Sequence, residues 1–420
     1  MRYAAEGDKA RIKIVKVNKS YAFGIVESIL SPSENRRVPL CPSYGKCGGC
    51  TMMHILYEKQ LSVKKQTVVN NLRKIAHLND NDYVFDEIIG ADEYNYRNKA
   101  QFPLSLENGK AIYGFYAPGS HRVVKCHNCK IQNFKINQVA DAVLQYVNEN
   151  NISIYDEKTQ KGFLRHIYVR SAKNGEFILV LVTSTSKELP NVDILVKKLT
   201  ELGGMGGIVQ NVNKRTDNVI MGDKNIVLYG KSQINMSIGN LKFLVSPNSF
   251  FQVNTDQTEK LYSRALKYAG LSGDETVFDL YCGVGSISLF LAQSAKKVYG
   301  VEIVEEAIVN ARKNAEINGI DNAEFFAGDC TEVVDDLIEK GINADVVVVD
   351  PPRKGCDGEL LNLINKISPE KIVYVSCNSS TLARDISLLS DFGYKLKKVT
   401  AVDMFPQTAH VECVAQLWRE

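Results

Sequence analysis

The alternation of apolar and polar positions in the C-terminal part of the chain predicts a regular succession of strands and helices. The apolar runs TVFDLYCG, KVYGVEI, AEFFAGD, ADVVVVD and KIVYVSC have the length of buried parallel strands. Amphipathic helical patterns lie between them, for example over Glu305–Asn318 and Glu332–Lys340. The last two segments, YKLKKVTAVDM and HVECVAQLWR, have no helix between them. Residues 236–420 are therefore predicted to form a Rossmann-like α/β domain whose parallel sheet ends in an antiparallel hairpin.

Two different patterns precede this domain. Residues 9–30 alternate basic and apolar side chains with a period of two, which predicts a short OB-like β-module within residues 1–40. A helical run near Glu58–Lys74 is followed by short strands with glycine-rich turns. This mixture predicts an α+β central domain over residues 41–235.

Composition restricts the class of protein. The chain has 420 residues and 45% hydrophobic side chains, as expected of two or three globular domains. No apolar run approaches the roughly 20 residues of a membrane span, and the N-terminal segment lacks the hydrophobic core of a secretory signal. Ten cysteines in such a chain are expected to be thiols, metal ligands or catalytic groups in the cytoplasm.

The charges are distributed unevenly along the chain. The net charge is only +3, but residues 1–135 contain 21 Lys and Arg against 12 Asp and Glu, whereas the remainder contains 30 against 36. This asymmetry predicts that the N-terminal region binds a polyanion such as RNA. Ordinary solvated surface charge is the alternative interpretation.

A glycine-containing loop, DLYCGVGS, follows the first strand of the predicted α/β domain. Gly283 and Gly285 allow a tight turn and a close approach of the backbone to a ligand. Ser288 replaces the third glycine of a dinucleotide fingerprint, which disfavours a nicotinamide dehydrogenase. Glu302 ends the second strand, where a carboxylate can accept both ribose hydroxyls, and Asp329 ends the third. Together with the terminal hairpin, this pattern predicts a nucleoside cofactor of the kind that methyltransferases use.

Reactive side chains follow the next strands of the same predicted sheet. Asp350 ends the fourth strand and Cys377 follows the fifth, at the edge where open α/β sheets bind ligands. A thiolate that adds to C6 of uracil makes C5 nucleophilic enough to accept a methyl group. The C5 proton must then be removed, for which Glu412 is the first candidate and His410 the second. Each residue alone has a plainer interpretation, as a core thiol, a helix cap or a solvated acid, but their combination favours catalysis.

Five further cysteines form a candidate metal site. Cys47, Cys50, Cys126 and Cys129 make two C-x-x-C pairs, the ligand set of a structural zinc ion. Alternatively, Cys41, Cys47 and Cys50 with one distant cysteine hold an iron–sulfur cluster. Spacing alone favours zinc.

The segments taken together resemble the RNA uracil-C5-methyltransferase family. DLYCGVGSISL, DPPRKG, VSCNSSTLARD and DMFPQTAHVE are similar to the family's motifs, and CPSYGKCGGC, YRNKAQFPL, GFYAPGSHRVVKCHNCKIQ and LRHIYVR resemble its bacterial 23S rRNA branch. The resemblance covers nearly the whole chain. It implies a cytoplasmic, monomeric enzyme that uses S-adenosylmethionine to methylate C5 of uridine in 23S rRNA.

The resemblance also implies roles for individual residues. Cys377 would be the covalent nucleophile, Glu412 would accept the C5 proton, and Asp350 would lie near both the methyl donor and the uracil. The further cofactor contacts that it implies are Gln252, Tyr281 and Glu302. The family's cluster is [4Fe–4S], with ligands that match Cys41, Cys47, Cys50 and Cys129 and leave Cys126 outside the motif.

Two departures from the family pattern are visible. The N-terminal β-module resembles only the latter part of the family's TRAM domain, and Ser379 stands where the usual sequence has a proline after Ser-Cys-Asn. Two other functions stay open. A tRNA uracil-C5-methyltransferase is disfavoured because that branch of the family lacks the cluster cysteines. A non-catalytic RNA-binding iron–sulfur protein is disfavoured by the presence of Cys377 and Glu412.

Overall fold

A computed structural model describes residues 3–420 of the chain as two compact units. Unit 1 comprises residues 3–63, Asp92–Ser232 and Phe405–Ala409. Unit 2 comprises Lys64–Ala91, Gln233–Met404 and His410–Glu420. The division into three domains with boundaries after residues 40 and 235 stays a prediction.

The secondary-structure elements are numbered in chain order. The strands are β1 (Lys9–Val17), β2 (Ala22–Ser31), β3 (Val84–Ile89), β4 (Lys99–Glu107), β5 (Lys110–Tyr116), β6 (Val123–Lys125), β7 (Leu164–Ser171), β8 (Phe177–Thr183), β9 (Met205–Val212), β10 (Lys224–Gly230), β11 (Ile234–Ile238), β12 (Leu241–Val245), β13 (Thr276–Leu280), β14 (Lys297–Glu302), β15 (Ala323–Ala327), β16 (Val346–Val349), β17 (Lys371–Ser376), β18 (Tyr394–Val402) and β19 (Glu412–Arg419). The helices are α1 (Tyr57–Ile75), α2 (Phe134–Glu149), α3 (Val192–Thr200), α4 (Thr255–Ala269), α5 (Ser286–Ala292), α6 (Glu305–Ile317), α7 (Cys330–Glu339), α8 (Gly358–Ile367) and α9 (Ser379–Asp391).

Unit 1 is built around a seven-stranded sheet in the order β10-β9-β8-β7-β4-β5-β6. Its neighbouring strands are antiparallel except for β8 and β9, which are parallel and are connected through α3. β7 and β8 are buried along their whole length, as their continuous apolar runs require. Apolar side chains of α2 and α3, including Ile136 and Leu195, pack with Phe102 and Leu179 of the sheet in one core.

The N-terminal module of unit 1 is a two-stranded antiparallel ribbon of β1 and β2. In the described part of the chain no further strand joins this ribbon, so the predicted OB-like module is present only in part. Its side chains are mostly exposed, including Val17, Tyr21 and Phe23. The ribbon therefore adds little to the apolar core and leaves both charged and aromatic groups at the surface.

Unit 2 contains an eight-stranded sheet in the order β15-β14-β13-β16-β17-β19-β18-β3. The first five strands in this order are parallel, and β19 lies antiparallel between β17 and β18. The predicted Rossmann-like sheet with a terminal antiparallel hairpin is thus confirmed. The hydrophobic pattern did not predict β3, which pairs in parallel with β18. Its sequence, VFDEII, contains two acidic residues and most of its side chains are partly or fully exposed, so no continuous apolar run marks it.

The helix limits agree with the sequence pattern. α6 begins at Glu305 and α7 ends at Glu339, close to the predicted helical segments. Within residues 3–420, no helix is both long and apolar enough to cross a membrane.

Candidate active site

The loop between β13 and α5 turns sharply at the carboxyl end of the parallel strands of unit 2. Tyr281, Gly283 and Gly285 have positive φ angles of 74°, 55° and 79°, respectively. A Cβ atom on Gly285 would lie 2.9 Å from the Phe325 ring, so this position needs glycine for space as well as for backbone conformation. The loop therefore brings its backbone close to the start of α5, where a ligand can approach it.

Glu302 is fixed beside this loop. Its Oε2 accepts a hydrogen bond from the Gly283 N–H at 3.2 Å, and its Oε1 accepts one from the Val304 N–H at 3.1 Å. The carboxylate is half-buried and its orientation is set by backbone groups. It retains lone pairs that can accept hydrogen bonds from the two hydroxyls of a ribose.

Ser288, which replaces the third glycine of a dinucleotide fingerprint, has a partner of its own. Its hydroxyl donates a 2.5 Å hydrogen bond to Oδ2 of Asp279, a fully buried residue at the end of β13. Burial raises the pKa of Asp279 to about 7. Among the described residues, the buried Oδ1 of Asp279 has no hydrogen-bond partner. An unpaired buried acceptor beneath the loop fits a ligand with a cationic amino group, such as S-adenosylmethionine.

Cys377 and Glu412 are opposite one another at the other end of the site. The antiparallel register of β17 and β19 pairs Ser376 with Cys413. Cys377 follows Ser376 and Glu412 precedes Cys413, so the same register sets the thiol across from the carboxyl group. Cys377 is half-buried and Glu412 is buried. The structure thus brings together the predicted nucleophile and the predicted base.

The electrostatic environment couples these two groups to Asp350, which follows β16. Burial raises the pKa of Glu412 to about 8, and the charge of Asp350 contributes to this shift. Burial also raises the pKa of Asp350 to about 7 and, together with the charges of Glu412 and Asp350, raises the pKa of the Cys377 thiol. All three groups therefore hold protons more tightly in the folded protein than in water.

Arg353 is a functional candidate that sequence reasoning left without a role. Its positive charge lowers the pKa of both Cys377 and Glu412 and so opposes the effect of burial. Its Nη2 lies 3.4 Å from Nδ1 of His410, and burial together with the Arg353 charge lowers the pKa of that histidine. His410 is therefore a weaker base than a free imidazole. The position of Arg353 in the segment DPPR, next to the strand-end acid, was the signal for its role.

Neighbouring polar residues fix the backbone around the thiol. The Asn378 side chain accepts a hydrogen bond from the Ser380 N–H at 3.1 Å, which caps α9, and donates one to the Arg353 carbonyl at 3.2 Å. Ser379, which replaces the family's proline, accepts a 2.8 Å hydrogen bond from the Asn71 side chain. This bond restrains the segment at the point where the rigid proline ring is absent.

A buried ion pair supports the end of β18 and was not predicted. The Lys64 ammonium lies 2.5 Å from the Asp403 carboxylate, and both side chains are almost fully buried. The Gln257 and Asn254 side chains donate hydrogen bonds of 3.1 Å to the carbonyls of Asp403 and Met404. These contacts hold the last residues of the hairpin's first arm in place.

The remaining predicted cofactor residues have different surroundings. Asp329 accepts a 2.8 Å hydrogen bond from the Thr331 N–H and caps α7, which is an ordinary structural role. Gln252 lies half-buried in the segment between β12 and α4, and Tyr281 is half-buried in the glycine loop. Their predicted contacts with a cofactor stay predictions.

The five cysteines of the candidate metal site line one cavity of about 250 Å³ in unit 1. Three cationic side chains line the same cavity: Arg97, Lys99 and Lys130. Cys126 packs with Cys129 and Ile131 in a small apolar group beside this cavity. Within residues 3–420, no group of three or more His, Cys, Asp or Glu side chains is arranged to hold a metal ion. The fit to a cluster therefore rests on the shared cavity and its cationic lining.

Unit 2 has the features of the catalytic unit of an S-adenosylmethionine-dependent methyltransferase. These features are the order of the strands in its sheet, the glycine loop, the carboxylate at the end of the second strand and the terminal hairpin.

Comparison with known proteins agrees with this assignment. Residues 56–420 match the family model described as tRNA (uracil-5-)-methyltransferase. The chain is 50% identical to an uncharacterized RNA methyltransferase of Clostridium tetani, over 97% of this chain and 88% of that protein. It is 48% identical to another from Oceanobacillus iheyensis, over 98% and 89%.

A solved structure is similar over almost the full length. The Pyrococcus abyssi tRNA (uracil-54, C5)-methyltransferase in complex with S-adenosyl-L-homocysteine has a TM-score of 0.78 and 27% sequence identity, covering 99% of this chain and 94% of that one. The chain therefore belongs to the tRNA (uracil-5-)-methyltransferase family. The predicted family, enzyme class and methyl donor are confirmed, whereas the 23S rRNA branch stays a prediction.

Proposed function

We propose that this chain methylates C5 of a uridine in 23S rRNA through a covalent bond between Cys377 and C6 of the base. The observation that supports this most directly is the register that sets Cys377 across from Glu412. A thiol and two carboxyl groups with raised pKa values are costly to maintain as structural elements. Such perturbed groups, when they lie together beside a cofactor loop, are typical of catalytic sites.

The first step requires a thiolate at Cys377. Arg353 lowers the pKa of this thiol against the effect of burial, so its guanidinium favours the reactive form. The sulfur adds to C6 of uracil, and the electron pair of the C5–C6 double bond moves towards C5 and the adjacent carbonyl. S-Adenosylmethionine supplies the methyl group that C5 then takes.

The second step requires a base. Glu412 takes the proton from C5, and the electron pair of the C5–H bond re-forms the C5–C6 double bond as the sulfur of Cys377 leaves. A pKa of about 8 suits this role, because a carboxylate with a raised pKa binds the abstracted proton more strongly than an ordinary one.

The cofactor contacts that we propose lie around the glycine loop. Glu302 would accept the ribose hydroxyls, since backbone N–H groups already orient its carboxylate. Asp350 would lie near both the methyl donor and the uracil. Gln252 and Tyr281 complete the set, and the family resemblance is their main support.

We also propose a [4Fe–4S] cluster held by Cys41, Cys47, Cys50 and Cys129. Iron–sulfur clusters take four thiolate ligands, and these four sulfurs share one cavity. The cationic lining of that cavity would offset the negative charge of a thiolate-bound cluster. When bound, a cluster would cross-link the segment around residue 50 to the segment around residue 129.

RNA binding by the β1–β2 ribbon fits its surface. Arg11, Lys13 and Lys16 are exposed on β1. Tyr21 and Phe23 are exposed as well, with ring centroids 5.4 Å apart. Cations that contact phosphates and aromatic rings that stack on bases form the usual surface for single-stranded RNA.

A second candidate substrate is tRNA, favoured by the structural similarity to a tRNA (uracil-54, C5)-methyltransferase. The resemblance of the cysteine segments to the 23S rRNA branch of the family favours rRNA. In both cases the proposed enzyme is a cytoplasmic monomer.

The proposed substrate is tested by mapping 5-methyluridine in rRNA and tRNA from a strain that lacks the protein. We expect one or more sites to disappear from 23S rRNA and to return with the wild-type chain but not with Cys377→Ala. A loss confined to tRNA would support the second candidate. Unchanged 5-methyluridine in both RNAs would contradict the proposed function.

A further inference from the structure

A fully buried carboxylate of unit 2, that of Asp385 on α9, has no role in the proposed reaction steps. Its Oδ2 accepts hydrogen bonds from the Tyr374 hydroxyl at 2.6 Å and from the Cys356 N–H at 2.9 Å. Its Oδ1 accepts one from Nε of Arg384 at 2.7 Å, and the residue has no exposed surface. A buried carboxylate is costly unless it is paired, and here both oxygens have donors. Asp385 therefore serves to hold these groups in place.

The loop after β16, residues 350–357, is held by this carboxylate and by its neighbour Arg384. Nη2 of Arg384 donates hydrogen bonds to the Lys354 carbonyl at 3.0 Å and to the Cys356 carbonyl at 2.9 Å. Gly355, between them, has a φ angle of 78°, and a Cβ atom there would lie 2.6 Å from both Nη2 of Arg384 and Oδ2 of the carboxylate. The loop therefore runs in direct contact with α9, at a position where only glycine fits.

The same contacts join the three segments around the proposed nucleophile. Tyr374 lies on β17, which ends one residue before Cys377, and α9 begins two residues after that cysteine. The charges of Asp350, Arg353 and Glu412 act on the thiol, and the loop carries the first two of these residues. A displacement of the loop would therefore change the charges around the nucleophile.

We infer that Asp385 is a positioning residue, which together with Arg384 fixes the 350–357 loop and so holds Arg353 where its positive charge acts on Cys377. This inference rests on the proposed role of Cys377 as the nucleophile. Because Asp385 has no exposed surface, it acts only through the groups that it holds. Supporting contacts of this kind keep a reacting group within the narrow range of positions that catalysis requires.

The expected effect of losing Asp385 is a less reactive thiol. Arg353 lowers the pKa of Cys377, so its displacement should raise that pKa. A pKa higher by one lowers the thiolate fraction about tenfold, and the higher nucleophilicity of the more basic thiolate offsets part of this, which leaves about a threefold fall in rate. We expect a fall of this size in Arg353→Gln. Asp385→Asn should cause a fall no larger than that, because Asn378 still holds the Arg353 carbonyl.

The test measures alkylation of Cys377 by iodoacetamide in the full-length protein, with the modified peptide quantified by mass spectrometry between about pH 6 and about pH 10. The variants are Arg353→Gln, Asp385→Asn, their combination and Asp391→Asn, which changes an exposed acid on the same helix. In the combined variant the rate should equal that of Arg353→Gln, because Asp385 then has no guanidinium to position. Asp391→Asn should match wild type.

Two controls separate positioning from a loss of stability. Circular dichroism and urea denaturation show whether Asp385→Asn is folded under the conditions of alkylation. Arg384→Gln is a second test in a partly exposed side chain, since it removes the hydrogen bonds to the two loop carbonyls and should also slow alkylation. If Asp385→Asn is unfolded, Arg384→Gln and its combination with Arg353→Gln decide the question.

Two results would overturn the inference. One is a wild-type rate of alkylation in folded Asp385→Asn and Arg384→Gln. The other is a combined variant in which the two losses multiply, because Asp385 would then act independently of Arg353. The proposed function is tested separately: methylation by Cys377→Ala would overturn it, whereas the alkylation rates would still decide whether Asp385 positions Arg353.

Discussion

Glu412 is buried beside Asp350, and burial together with the charge of Asp350 raises the pKa of Glu412 to about 8. At neutral pH the free protein therefore keeps a proton on the group that has to act as the base. Arg353 works in the opposite direction and lowers the pKa of Glu412. The site thus maintains a basic carboxylate at the expense of stability, as expected where function requires a desolvated acid.

The cost to stability has a defined pH dependence. The folded-state pKa of Glu412 is above the unfolded value of roughly 4.3, so the folded protein binds the carboxyl proton more tightly than the unfolded chain does. The stability that this proton contributes is therefore lost as pH rises towards about 8. Glu412→Gln removes the titration. The free energy of unfolding is measured by urea denaturation for both proteins. The value for Glu412→Gln minus that for wild type should increase by a few kcal/mol from about pH 5 to about pH 8.5.

A matched control for this variant is Glu306→Gln, which changes an exposed acid on α6. Its free energy of unfolding should follow that of wild type at every pH. If the difference between Glu412→Gln and wild type is the same at both ends of the pH range, the raised pKa of Glu412 is wrong.

The metal content of the protein distinguishes the two interpretations of the cysteines, an iron–sulfur cluster and a structural zinc ion. Protein purified without oxygen should contain iron and inorganic sulfide, and alanine substitution of any one of the four proposed ligands should remove both. Elemental and sulfide analysis is the measurement. Stoichiometric zinc without sulfide, lost on substitution of Cys126, would establish the alternative zinc site.

The β1–β2 ribbon should contribute to RNA affinity through charge. The triple variant Arg11→Glu, Lys13→Glu and Lys16→Glu should bind RNA at least tenfold more weakly and show a smaller dependence on salt concentration, because fewer counterions are released. Its affinity for S-adenosylmethionine should be unchanged. Filter binding over a range of salt concentrations and calorimetry measure the two affinities.

The control variant reverses the charge of three exposed lysines of unit 2 by substitution with glutamate: Lys267, Lys313 and Lys340. This variant has the same change in net charge, so a general electrostatic effect would weaken RNA binding in both proteins equally. Equal losses would show that the ribbon has no special role.

The sequence was sufficient to predict the catalytic sheet because each of its parallel strands is a continuous apolar run, and the chain order then fixes which strand ends are adjacent. Cys377 and Glu412 could be paired for the same reason. β3 could not be predicted, since its acidic residues break the apolar pattern and its pairing with β18 is separated by about 300 residues of chain.

The pKa values of the site's acidic groups and its long-range contacts could not be predicted from sequence patterns either. The pKa shifts of Asp350 and Glu412 depend on burial, and that of Glu412 depends also on the position of Arg353, which no spacing rule encodes. Lys64 and Asp403 are 339 residues apart in sequence, so their buried pairing follows only from the three-dimensional fold. Cys126 was placed outside the cluster motif, and only the fold shows that it lines the same cavity as the four proposed ligands.

The central claim is that Cys377 forms a covalent bond to the base and that Glu412 is needed to break it. The most direct measurement is denaturing electrophoresis of the protein after incubation with labelled substrate RNA and S-adenosylmethionine. RNA containing 5-fluorouridine should trap the wild type, because fluorine at C5 cannot be removed as a proton. Cys330→Ala, which removes another half-buried thiol of unit 2, should be trapped in the same way.

With normal RNA, Glu412→Gln should accumulate a shifted covalent band, since it can add and methylate but cannot readily release the C5 proton. Cys377→Ala should give no shifted band with either RNA, and both variants should lose turnover by orders of magnitude. A covalent band in Cys377→Ala would move the nucleophile to another residue. Rapid turnover by Glu412→Gln would transfer the role of the base to another group, with His410 as the next candidate.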